Sequence, residues 1–106
     1  MEDMVSETKF TKVLGDSPKV KVLEFLIEGR ELDYSLTDIA EGSGMGRTTL
    51  FRIWDDLVAL KMVKQTRTIG NAKLFKLNTD HKAAQKLVKL FDALVVEPLG
   101  KEKILV

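Results

Sequence analysis

The 106-residue chain has no cysteine. That excludes a disulfide framework, a thiolate zinc site and a cysteine nucleophile. Histidine is almost as scarce. His81 is the single one, so no histidine cluster can hold a metal, and its place near a helix start reads as a capping or surface residue. No apolar run approaches the roughly 18 residues that a membrane span requires. The stretch Met1 to Lys12 is mixed and charged, without the apolar core of a secretory signal. There is no glycine-rich phosphate loop, no nucleophile–base pattern and no metal-ligand spacing. The expectation is a cytoplasmic, soluble protein that is not an enzyme and needs no cofactor. No small-molecule ligand and no membrane partner is evident.

What is present is enough for one compact domain. Hydrophobic residues make up 44% of the chain, and net charge is +1. The near-zero total hides a polarity. Residues 1–43 carry five Lys/Arg and ten Asp/Glu, a balance of −5. Residues 44–82 carry eight and three, a balance of +5, and residues 83–106 carry four and three, +1. A basic middle third is what a polyanionic partner requires, because phosphates respond to local charge and not to the whole chain.

Periodicity and punctuation predict the elements. Ser6 to Leu14 reads as a short helix with Phe10, Val13 and Leu14 on one face. Gly15-Asp16-Ser17-Pro18 breaks it, and Ser17 with Pro18 starts a second helix to about Glu28, stopped by Gly29. Leu32 and Tyr34 alternate in a short edge strand. Thr37 reads as the N-cap of a helix from Asp38 to about Gly42. Ser43-Gly44-Met45-Gly46 is a tight turn. Arg47 to about Leu60 forms the next helix, with Leu50, Ile53, Trp54, Leu57 and Leu60 on its core face. Met62–Thr68 and Lys73–Asn78 form a hairpin turned at Gly70-Asn71, both of which tolerate positive φ. A last helix runs from Thr79 or Asp80 to about Val96, before Pro98 and Gly100. The fold class is mainly α with a small β-hairpin (α+β): a core at 17–78, a C-terminal helix at 79–96 and a tail at 97–106.

Between Leu36 and Asn78 this order resembles the winged helix-turn-helix superfamily. The residues that carry the likeness are Leu36-Thr37-Asp38-Ile39-Ala40-Glu41 as the supporting helix and Gly44-Met45-Gly46 as the turn. Arg47-Thr48-Thr49-Leu50-Phe51-Arg52 opens the recognition helix. Leu57-Val58-Ala59-Leu60-Lys61-Met62-Val63 leads into the wing, and Leu74-Phe75-Lys76-Leu77-Asn78 closes it. The likeness is strongest to archaeal transcriptional regulators of the ArsR-like or MarR-like kind. Gly46 stands where those families usually carry a side-chain cap, and Lys61 where they carry a glycine.

The resemblance implies sequence-specific binding of double-stranded DNA. Arg47, Thr48, Thr49, Phe51 and Arg52 would face the major groove, since the core takes Leu50, Ile53, Trp54 and Leu57. Asp55 and Asp56 limit contact to the first half of that helix. Lys64, Arg67, Asn71 and Lys73 would place the wing over the flanking backbone or minor groove. Each has a bland counterpart: a solvated arginine, an Arg52 paired to Asp55 or Asp56, or lysines guarding a strand edge. The last helix carries more apolar surface than a three-helix core needs. Leu87, Leu90, Phe91 and Leu94 are therefore expected at a homodimer interface, which would set two recognition helices about 34 Å apart. The rival reading is a winged helix used for protein–protein assembly.

Overall fold

The structure is a computed structural model and describes residues 8–96. The tail at 97–106 lies outside these residues, as do Ser6 and Glu7. The elements follow in the order α1 (Lys9–Leu14), α2 (Pro18–Glu28), α3 (Leu36–Gly42), α4 (Arg47–Ala59), β1 (Val63–Ile69), β2 (Ala72–Leu77) and α5 (Lys82–Val96). No helix among the described residues is long and apolar enough to cross a membrane.

Local chemistry starts most helices. Ser17 Oγ accepts from the Val20 N–H, and Pro18 fills the first helical position, where no N–H is needed. Thr8 caps α1 in a reciprocal box with Thr11. The N-cap of α3 is Ser35, not Thr37. Ser35 Oγ accepts from Asp38 N–H at 3.1 Å, and the Asp38 carboxylate accepts from Ser35 N–H at 3.4 Å. This two-way exchange needs an acceptor three residues on, and Asp38 supplies it to Ser35. Gly46 begins α4 with extended backbone and no side-chain cap.

Helices α2, α3 and α4 pack around Val22, Leu26, Ile27, Ile39, Ala40, Leu50 and Leu57, all at most 2% exposed. Ala40 is small enough to admit the neighbouring helix, and Met45 of the turn packs against the same cluster. The first helix differs from its expected face. Phe10 and Thr11 are buried, whereas Val13 and Leu14 are exposed. The reason lies with α5: Phe10 packs edge-on against Phe91, with ring centroids 5.5 Å apart.

The hairpin pairs Val63 with Leu77 at its root and Ile69 with Ala72 at its tip. Only Gly70 of the two turn residues adopts positive φ, +60°, whereas Asn71 does not. Positive φ at the first position alone is the pattern of a type II′ turn, which matches strand twist. Tyr34 adds one antiparallel bridge to Phe75, with both backbone bonds at 2.8 Å. The expected edge strand is thus a single bridge. Phe75 in turn packs edge-on to Trp54, which ties the wing to α4. Before β1, Lys61 adopts φ +63°. That left-handed backbone is one that glycine adopts without steric cost and a lysine does not.

Candidate nucleic-acid interface

The interface is built where α4 begins. Leu50, Trp54 and Leu57 are buried, so the other side of α4 faces solvent. Arg47, Thr48, Phe51 and Arg52 are exposed there, while Thr49 is half-buried. The Arg47 guanidinium lies over the Phe51 ring, 5.5 Å from its centroid. This contact steadies a long side chain without cancelling its charge. It also explains how Phe51 remains 47% exposed: its ring serves the surface and not the core.

The chain has four arginines, and they divide cleanly. Arg30 Nη2 lies 3.2 Å from both carboxylate oxygens of Asp92. Arg67 forks onto Asp33, Nε to Oδ2 at 2.9 Å and Nη2 to Oδ1 at 3.2 Å. Arg47 and Arg52 on α4 meet no carboxylate among the described residues. The alternative pairing of Arg52 with Asp55 or Asp56 is not formed. Asp56 is taken by Lys19 of α2, at 2.7 Å.

The wing is less basic at its tip than its sequence implies. A bulge between Gln65 and Arg67 inserts Thr66 into β1. In a regular strand Thr66 and Arg67 would face opposite ways; the bulge re-aims them, and both reach Asp33. The Thr66 hydroxyl donates to Asp33 Oδ2 at 2.6 Å. Hydrogen bonds from Arg67 and then from Thr66 hold the Asp33 carboxyl below its usual range, and Arg67 is raised in return. Arg67 therefore anchors the wing to the loop before α3. Lys64 faces Lys76 across the strands, and Asp80 meets Lys64 at 3.0 Å, offsetting the like charges. Lys73 and Asn71 remain at the exposed tip.

The start of α3, the start of α4 and the wing tip enclose an open cleft of about 340 Å³. Arg47, Asn71 and Lys73 line it, together with Ser35 and Thr37. Ser35 and Thr37 were not among the residues expected at this cleft from the sequence. Their signal was present: short polar side chains at the start of the supporting helix. Lys64 and Arg67, expected beside them, are not among its lining residues.

The dimer residues also divide. Phe91, expected at the homodimer interface, is 7% exposed and enclosed by its own chain against Phe10, so it offers little surface to a partner. Leu87 and Leu94 pack partly on the same core. Leu90 is 37% exposed and Val95, on the same apolar face, 55%.

The IclR helix-turn-helix domain matches residues 20–67, which run from α2 through α4 into β1. The fold is a winged helix-turn-helix. No curated protein matches the chain. Two solved structures are similar. A double mutant of ZitR from Lactococcus lactis superposes with a TM-score of 0.58 at 16% identity, over 80% of this chain and 57% of that one. A MarR family transcriptional regulator from Silicibacter pomeroyi gives 0.54 at 26% identity, over 73% and 54%. The aligned part thus spans little more than half of either neighbour's length.

Proposed function

We propose that this winged helix-turn-helix chain binds double-stranded DNA in a sequence-specific way and regulates transcription as a homodimer. The start of α4 enters the major groove, and the wing tip lies on the flanking backbone or minor groove. One observation carries this reading: Arg47 and Arg52, the arginines on the exposed first turns of α4, are the two without a carboxylate partner among the described residues. Arginine left unpaired on an exposed helix is suited to guanine edges or phosphate. The likeness to a MarR family transcriptional regulator supports the same reading. Arg67 and Lys64 act as supports for the wing, and Arg47, Thr48, Phe51, Arg52, Asn71 and Lys73 as the contacting set.

Fluorescence anisotropy with random-sequence duplex DNA at several salt concentrations tests it. Affinity should fall linearly on a log–log salt plot, as counterion release requires. No binding even at low salt would overturn the reading in favour of a protein-assembly role. The homodimer has its own test. Exposed Leu90 and Val95 on α5 supply its apolar contact. Leu90→Asp should convert a dimeric mass to a monomeric one in sedimentation, and an unchanged mass would remove α5 from the interface.

A further inference from the structure

The five phenylalanines of the chain fall into two groups. Phe10 packs on Phe91, Phe25 on Tyr34 and Phe75 on Trp54, and all four are buried or half-buried. Phe51 is 47% exposed and has no aromatic partner among the described residues. Its ring meets the Arg47 guanidinium instead. A single exposed apolar side chain is ordinary on a protein surface. The place of this one is not. Within Arg47–Arg52, Leu50 is buried and Phe51 is the apolar side chain that solvent reaches. It stands one helical turn after an arginine that has no carboxylate partner among the described residues.

The major groove offers a match for each half of this pair. Guanine presents two acceptors, N7 and O6, which suit the fork of an arginine. Thymine presents its C5-methyl, an apolar group that the other three bases lack there. The guanidinium lies 5.5 Å from the ring centroid. That separation falls between one base step of about 3.4 Å and two of about 6.8 Å. A phosphate partner for Arg47 would set the ring against charged oxygens, where an apolar side chain gains nothing.

We propose that Arg47 and Phe51 read one composite element of the DNA. The guanidinium binds N7 and O6 of a guanine, and the Phe51 ring covers the methyl of a thymine one or two base pairs away, on either strand. The ring also restrains the guanidinium before binding, so less freedom is lost when the guanine is engaged. This inference rests on the DNA-binding reading above and gives that site a base preference.

The test starts with the full chain and a random-sequence duplex pool, from which bound sites are selected. The shared site should hold a guanine with a thymine one or two base pairs away. In a duplex of that sequence, deoxyuridine replaces the thymine and removes only the methyl. Affinity should fall about fourfold, the usual effect of one buried methyl group. 7-Deazaguanine replaces the guanine and removes only the N7 acceptor, and affinity should fall about tenfold. Phe51→Ala should bind the thymine and deoxyuridine duplexes equally, and Arg47→Ala the guanine and 7-deazaguanine duplexes equally. The two modified duplexes test the wild-type chain, so the result does not depend on either variant folding. Binding without a shared guanine–thymine element, or unchanged affinity for either modified duplex, would overturn this proposal and leave the DNA-binding reading intact. No binding of any duplex at low salt would overturn both.

Discussion

The start of α4 and the α1–α5 pair are opposite solutions to the same chain's surface. On α4, Arg47, Thr48, Phe51 and Arg52 project into solvent and hold nothing together beyond the Arg47–Phe51 contact. Between α1 and α5, Phe10 and Phe91 are enclosed and hold the two outer helices on the core. The first region keeps its interaction capacity for a partner; the second has used it on the fold. A residue's type does not reveal which of these applies. Phe51 and Phe91 are both phenylalanines on helices, and one is 47% exposed while the other is 7%.

The comparison can be broken most forcefully at Phe10. Phe10→Ala should destabilise the chain by about 3–5 kcal/mol, the usual range for a large buried aromatic, as measured by urea unfolding. A loss below about 1 kcal/mol would mean that α1 does not anchor α5. Next come Arg47→Ala and Arg52→Ala. Each should reduce DNA affinity by about 1–3 kcal/mol while leaving the urea midpoint unchanged, the reverse of the Phe10 outcome. Normal affinity in both would dissolve the contrast. A smaller effect is expected at Lys61. Lys61→Gly relieves left-handed backbone, and part of that gain is offset by glycine's extra freedom when unfolded. The net gain should be no more than about 1 kcal/mol in thermal unfolding, with DNA affinity preserved.

The smallest effect should come from Asp33. Its carboxyl is held below its usual range by Arg67, so its ionised form is the one the fold favours. The contribution is present above the ordinary aspartate value and is lost as pH falls through the lower folded value. Asp33→Asn should therefore lower the urea midpoint slightly near neutral pH, with the difference closing in strong acid. The Arg67 side of the pair is open to solvent screening, so the change should be modest. A difference that grows in acid would contradict the clasp.

Much of this was legible from neighbouring residues. The bounds of α2 follow from Ser17, Pro18 and Gly29, which lie next to the ends they define. The inner face of α4 follows from Leu50, Trp54 and Leu57 at helical spacing, whereas Leu60, read onto the same face, is the C-cap and 60% exposed. Errors arose where two local signals competed. Ser35 and Thr37 are both good caps, and the carboxylate of Asp38 decided between them. The Arg67–Asp33 clasp spans 34 residues and depends on a bulge. No spacing in the sequence announces it.

By itself, the sequence determined the helices, the turn chemistry and the face of α4 that meets solvent. These depend on backbone preferences and on periodic apolar side chains, which act over a few residues. Tertiary structure alone decided which charges remain available. Arg67 and Arg47 look alike in the sequence, but folding brings Asp33 to the first and, among the described residues, no carboxylate to the second. It also turned Phe91 inward, because Phe10 arrives from the far end of the chain to cover it. Charge pairing and burial are properties of neighbours in space, and those neighbours exist only once the chain has closed.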